Sequence, residues 1–268
     1  MVERADNPDI ARSRHLIERS RRILVLTGAG ISTDSGIADF RGPNGIWTKN
    51  PEAERAATLS VYVSEPAVRR RSWRQRLTSP MTEARPNAGH VALVALEHSG
   101  RLDTLVTQNI DGLHQKAGSD PARLIEIHGN ALDIMCLACG QRGPAEPVHA
   151  RVRSGEEDPH CRLIGPDGSE CAGILKSATI SFGQQLVERD LVAAEAAARS
   201  CDLLLAIGST LAVYPAAGLV PIAARSGAPV VILNGGPTEL DDLADVVIYG
   251  SISDILPALC GDLAPVTA

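Results

Sequence analysis

The sequence predicts a doubly wound α/β fold, a parallel sheet with helices on both faces, interrupted by one small inserted metal-binding module. Three observations carry this expectation. Short runs rich in Val, Ile and Leu recur at 23–26, 104–107, 203–207, 230–233 and 246–248, each closing on glycine or a polar residue, as parallel strands buried on both faces do. Helical patterns separate these runs, so strand and helix alternate. The stretch 132–176 breaks the rhythm: it has no long apolar period, many glycines, prolines and charges, and the cysteines Cys136, Cys139, Cys161 and Cys171.

The elements follow in order. Asn7-Pro8 opens a helix to about Ser20, Asn7 as cap and Pro8 where a missing N–H costs nothing. The strand at 23–26 runs into Gly28-Ala29-Gly30, with the next glycine at Gly36. Helix 87–99 ends at Gly100, helix 190–200 is alanine-rich, and helix 215–226 ends at Gly227. Leu124, Ile125 and Ile127 alternate as a short extended segment that delivers His128. A helix from Ser64-Glu65-Pro66 carries Arg69, Arg70, Arg71, Arg74 and Arg76, and charge at this spacing is expected to face water, with Val68 and Leu77 as anchors.

Composition restricts the function. At 268 residues and 44% apolar content the chain can bury a sizeable core. A net charge of −6 argues against coating nucleic acid. Glu3, Arg4, Asp6, Arg12 and Arg14 precede any apolar run, so no secretory h-region is read there. No apolar stretch approaches the roughly 18 to 20 residues that span a bilayer. A cytoplasmic protein with no membrane partner is expected, and in that compartment six cysteines favour a metal over disulfides.

Several constellations carry chemistry. Glycines at the end of the first strand allow a tight turn and close backbone approach, and the following N–H groups can hold a pyrophosphate, which marks a dinucleotide site. The third glycine falls six residues after Gly30, later than in the dehydrogenase fingerprint. The polar sequel Asp39-Phe40-Arg41-Gly42-Pro43-Asn44-Gly45-Ile46-Trp47 exceeds what a simple turn requires. Cys136-Leu137-Ala138-Cys139 sets two thiolates on one knuckle, and Cys161 and Cys171, with nine residues between them, can supply the other corners of a structural zinc site. His160 is a possible substitute ligand. Cys201 and Cys260 read as small buried hydrophobes. Gln108, Asn109 and Asp111 leave a strand end, where side chains reach a ligand crevice or cap a turn.

The order and intervals of these motifs resemble the sirtuins, the NAD-dependent protein deacylases, over most of the chain. The resemblance rests on Gly28-Ala29-Gly30-Ile31-Ser32, Asp39-Phe40-Arg41-Gly42, Thr107-Gln108-Asn109-Ile110-Asp111-Gly112-Leu113-His114, Glu126-Ile127-His128-Gly129-Asn130, the four cysteines, Gly208-Ser209-Thr210-Leu211 and Asn234. It implies an NAD-binding Rossmann-like domain over 1–131 and 177–268, with a zinc module at 132–176. It further implies NAD as co-substrate and one structural zinc, with acyl-lysine proteins or peptides as partners. His128 would be the general base, a role suited to imidazole, and Asn109 would position ribose or water. Gly28, Ala29, Gly30, Ser32, Asp39, Phe40, Arg41, Trp47, Gln108 and Asp111 would serve phosphate and the nicotinamide end. Gly208, Ser209, Thr210, Asn234, Gly235 and Ile252 would serve the second phosphate contact and adenosine. Phe182, Gly183, Gln184 and Val213 would hold the peptide as an added strand, and His90 and His114 would make scaffold hydrogen bonds.

The implied reaction releases nicotinamide, free lysine and O-acyl-ADP-ribose. ADP-ribosyl transfer at the same site, or NAD sensing with little turnover, are the alternatives. The chain departs from the family at Ala38, where proline is usual, at Lys176-Ser177 for Arg-Pro, and at Gln184 for Glu. Relatives that prefer acidic acyl groups carry a Tyr-x-x-Arg pair; aligning its arginine with Arg74 leaves Arg71 in place of tyrosine. Acetyl-lysine is therefore expected to outcompete succinyl-lysine, with Arg74 of little consequence.

Overall fold

The computed structural model describes residues 7–42 and 45–266. The charged residues Glu3, Arg4 and Asp6, and Pro43-Asn44 within the polar sequel, lie outside the described residues.

The strands are β1 Ile23–Thr27, β2 Leu102–Thr107, β3 Leu124–Glu126, β4 Gly129–Cys136, β5 Arg142–Pro144, β6 Leu175–Thr179, β7 Leu203–Ile207, β8 Val230–Asn234 and β9 Val246–Tyr249. Six form a parallel sheet in the order β3-β2-β1-β7-β8-β9. Because side chains alternate along a strand, each strand feeds two cores. Ile23, Val25, Leu203, Leu205, Val231 and Leu233 pack with Ile17, Leu93, Leu96, Leu256 and Leu259 from helices Pro8–Arg19, Ala88–His98 and Ile252–Cys260. Leu24, Leu26, Leu204, Ala206, Val230 and Ile232 face Ala194, Ala198, Leu219, Val220 and Ala223 from helices Glu188–Ser200 and Leu219–Arg225. The doubly wound expectation holds, and all five apolar runs are strands.

Sheet order reverses at β1, which lies between β2 and β7. Ligands of such sheets bind outside the carboxyl ends at that switch point. There the loops after β1 and β7 nearly touch: a Cβ on Gly28 would lie 2.7 Å from the Gly208 carbonyl, and one on Gly30 2.8 Å from the Gly208 Cα. The segment after Gly28 is a 3-10 helix, Ala29–Ser35, rather than a long α-helix. Its Gly30 N–H is spent on the Gly208 carbonyl at 2.8 Å. The expected helix at 215–226 likewise begins as a 3-10 turn, Ala216–Gly218, before Leu219–Arg225.

The inserted stretch has more order than its sequence suggests. Strands β5-β4-β6 form a small antiparallel sheet that brackets 132–176, and Glu146–Arg153 is a helix. Ile134, Ala145, Val148, Val152 and Leu175 make a small core that Trp73, fully buried, completes from helix Pro66–Leu77. That apolar plug comes from outside the stretch, which is why the local sequence read as coreless. No helix among the described residues is long and apolar enough to cross a membrane.

Candidate active site

The carboxyl ends of β1, β2, β7 and β8 open into a cavity of about 1490 Å³. Gly28, Ala29 and Gly30 line it from β1, Gly208, Ser209 and Thr210 from β7, and Asn234 and Gly235 from β8. Ile252, at the start of the last helix, closes this end. Gly28, Gly30 and Gly208 admit no Cβ, so this part of the wall presents backbone, the surface a pyrophosphate needs for close approach. Gln108 crosses the gap between β2 and β7, its Nε2 donating to Ser209 Oγ at 3.0 Å.

His128 lines the cavity between this end and β6. Its Nδ1 lies 3.1 Å from the Gln108 carbonyl, and a carbonyl only accepts, so the proton sits on Nδ1 and Nε2 is the basic nitrogen. Burial holds the imidazole below its usual 6.5, against the opposing pull of the Gln108 carbonyl, so it is neutral near pH 7. The backbone is equally fixed: Ile180 N–H donates to the His128 carbonyl at 2.7 Å. Gly129 follows with φ +74°, and a Cβ there would lie 2.1 Å from the Ala178 carbonyl. The His-Gly pair thus presses one strand against the next and aims the imidazole at the cavity.

Asn109 is on the wall, its Nδ2 donating to the Gly28 carbonyl at 3.1 Å and to Ser32 Oγ at 3.2 Å. Ser32 and Asp111 are not on the wall. Ser32 Oγ donates to Asp111 Oδ2 at 2.8 Å, and Asp111 Oδ1 accepts from Leu113 N–H at 2.9 Å, so the pair braces Asn109 from behind. Deeper still, His114 Nε2 meets Thr27 Oγ1 at 3.0 Å, and its ring lies 5.0 Å from the His90 ring at a tilt of 57°. Burial pushes His90 down to about 4 and His114 to about 3.

The loop after Gly36 supplies a second wall. Asp39, Phe40, Arg41 and Trp47 line the cavity, with the Phe40 and Trp47 rings 4.6 Å apart and Trp47 5.3 Å from Phe182. Arg41, expected at phosphate or ribose, lies 4.5 Å over Trp47 and pairs with Glu54 at 3.3 Å. Phe182, Gly183, Gln184 and Val213 line the opposite side. Phe182 is already paired: its N–H donates to the Ala57 carbonyl at 3.0 Å and its carbonyl accepts from Leu59 N–H at 2.9 Å.

The sequence reading missed the end of the cavity beyond Phe182, lined by Ala56, Tyr62, Ser72, Arg76, Lys176 and Ile180. It also misplaced part of the arginine helix. Arg74 is exposed as expected, but Arg69 is buried and Arg76 is half-buried on the cavity wall. Their signal was the one residue type the helix pattern hides, a long side chain whose stem packs inward.

At the tip of the inserted sheet the four cysteine sulfurs all lie within 4.8 Å of one another. Cys136 and Cys171 are 3.7 Å apart and Cys139 and Cys161 3.8 Å. A disulfide would need about 2.05 Å, whereas zinc bonds of about 2.3 Å at tetrahedral angles set sulfurs about 3.8 Å apart. The thiols therefore fit zinc. Ala138 N–H donates to Cys136 Sγ at 3.4 Å, stabilising a thiolate there. His160 is turned to the Asp158 carbonyl and stays out of the cluster.

Comparison with known proteins agrees with this geometry. The model of the Sir2 family matches residues 28–215, which include the glycine turn, His128 and all four cysteines. The chain belongs to the Sir2 family. This sirtuin is 46% identical over 237 residues to NAD-dependent protein deacetylase 2 of Streptomyces coelicolor, covering 88% of this chain and 95% of that protein. It is 41% identical over 255 residues to NAD-dependent protein deacetylase 1 of Bradyrhizobium diazoefficiens, covering 94% and 96%. Among solved structures, a Sir2 variant with a deacetylated p53 peptide and 3'-O-acetyl ADP ribose superposes with a TM-score of 0.83 at 34% identity, covering 93% of this sirtuin and 96% of that chain.

Proposed function

We propose that this sirtuin is an NAD-dependent protein-lysine deacetylase with His128 as general base. The observation that carries the reading is the placement of His128. Its imidazole is tied through Gln108 to the glycine-lined end, and its backbone through Ile180 to the strand beside Phe182. A base there reaches both a dinucleotide on the glycines and a peptide on the 181–184 segment.

NAD would lie along Gly28 to Gly30 and Gly208 to Thr210, with Asn234, Gly235 and Ile252 at its adenosine end. It supplies a ribose carbon activated by a good leaving group. Asn109, braced by Ser32 and Asp111, holds the ribose or the attacking water. Phe40 and Trp47 exclude bulk water from the reacting bond. His128 Nε2 accepts the proton of a ribose hydroxyl. Overall the amide C–N bond and the nicotinamide glycosidic bond break, the acyl carbon ends on a ribose oxygen, and one water is consumed. The peptide backbone bonds beyond Phe182, whose own amide is occupied. The zinc module spans 132–176, and its thiolate cluster suits the reducing cytoplasm.

The test is mass spectrometry of an acetyl-lysine peptide reaction with and without NAD. Free lysine with O-acetyl-ADP-ribose supports deacetylation. ADP-ribosylated protein, or no product, overturns it in favour of transfer or sensing.

A further inference from the structure

We propose that Asn234 is a site of spontaneous deamidation, that the modification weakens NAD binding by this sirtuin, and that bound NAD protects against it. The inference rests on the placement of Asn234 at the adenosine end of NAD given above.

Asn-Gly occurs twice in the sequence, at Asn44-Gly45 and at Asn234-Gly235. The dipeptide is chemically labile because the glycine nitrogen can attack the preceding side-chain carbonyl carbon with no Cβ in the way. Attack needs a backbone N–H free of other partners and a backbone free to turn. The fold separates the two copies on both counts. Gly45 N–H is spent on the Gly42 carbonyl at 2.8 Å, and a Cβ on Gly45 would lie 2.5 Å from the Phe40 carbonyl.

Asn234 is placed differently. It is the last residue of β8, and the ladder to β9 closes there, Gly250 N–H donating to the Asn234 carbonyl at 3.0 Å. That register leaves the Gly235 N–H outside the ladder, and among the described residues it donates to no acceptor. A Cβ on Gly235 or Gly236 would meet nothing within 4 Å, so both residues have room to turn. The side chain is already folded across this amide: Asn234 Nδ2 donates to the Gly236 carbonyl at 2.7 Å. The attacking nitrogen and its target carbon therefore share one open turn, on the wall of the cavity.

The Gly235 nitrogen, losing its proton to a base in solution, bonds to Asn234 Cγ. The Cγ–Nδ2 bond breaks, ammonia leaves, and a succinimide remains. Water then opens the ring, at Cγ to give aspartate or at the main-chain carbonyl carbon to give isoaspartate. One water is consumed, one ammonia is released, and nothing is oxidised. Either product adds a carboxylate beside the Gly208 loop, whose N–H is tied to the Leu233 carbonyl at 2.9 Å. The phosphates of NAD carry the same sign, and like charges brought together weaken binding. NAD on this wall covers Asn234 and holds its side chain against ring closure.

The zinc-loaded full chain is aged in mildly alkaline buffer with and without NAD, then examined by peptide mapping and by kinetics on an acetyl-lysine peptide. The amide-to-acid mass gain, with isoaspartate, is expected at Asn234 ahead of every other asparagine. NAD at about ten times its Kd should slow it about tenfold. The modified fraction, separated by anion exchange, should show a KM for NAD at least about tenfold higher. Gly235→Ala should slow the mass gain. Earlier modification at Asn44, a rate at Asn234 no faster than at the other asparagines, absence of protection by NAD, or an unchanged KM in the modified fraction overturns the inference. Ageing of the wild type needs no variant, so misfolding of Gly235→Ala leaves the test decisive. Fresh protein that deacetylates with NAD but fails these tests spares the deacetylase reading, whereas fresh protein without NAD-dependent turnover overturns both.

Discussion

Replacing His128 with alanine removes the one imidazole among the described residues that lines the cavity. Loss of a positioned general base lowers kcat/KM by about 10²- to 10⁴-fold, or about 3–5 kcal/mol of transition-state stabilisation. The structural cost is far smaller. The side chain makes one hydrogen bond, to the Gln108 carbonyl, worth about 1 kcal/mol. The backbone bond from Ile180 survives the substitution. Tm should therefore fall by only about 2–4 °C, and NAD affinity, set by the distant glycine wall, should change by less than about threefold. The assay is release of free-lysine peptide followed by mass spectrometry, with NAD binding and thermal melting measured on the same preparation. The wild-type pH profile gives a second reading. Burial lowers the His128 pKa, so the basic form already dominates at pH 7, and kcat/KM should fall only as pH drops through a midpoint below 6.5. Wild-type turnover by His128→Ala, or an acid limb centred above 6.5, would refute the reasoning.

Elemental analysis should find one zinc per chain, and Cys139→Ser should lower Tm while NAD still binds, because four thiolates within 4.8 Å otherwise repel one another; a metal-free preparation of unchanged Tm would contradict this. Asp158→Asn leaves Arg69 buried without its anion and should cost about 3–5 kcal/mol in urea unfolding, a result below about 1 kcal/mol showing the pair to be solvated. Acid should destabilise the fold through His90 and His114. Their folded values of about 4 and about 3 lie below 6.5, so the unfolded chain binds more protons and stability is lost as pH falls below 6.5. At about 1.4 kcal/mol per tenfold change in proton activity, His90 alone contributes on the order of 3 kcal/mol by pH 4; a flat urea midpoint between pH 7 and 4 would rule this out.

The parts of this protein written in local sequence were legible without coordinates. Five apolar runs became strands because burial on both faces demands unbroken Val, Ile and Leu. The glycine turn and the His-Gly pair were visible because only glycine tolerates the Gly28–Gly208 approach and the φ of Gly129. The four cysteines could be assigned to one metal by residue type and spacing, and the fold brings their sulfurs together. What tertiary structure alone decided is which polar side chains meet the cavity. Ser32 and Asp111 sit in recognisable motifs yet stand behind the wall, since each is the other's hydrogen-bond partner. Trp73 plugs a core more than sixty residues away in the chain, a contact with no local period. Arg69, Arg74 and Arg76 share one helix and one chemistry. Asp158 and Glu157 hold the first two, and the turn that carries Trp73 inward brings Arg76 to the cavity. Charge is a property of the residue, but its burial is set by what the rest of the chain packs against it.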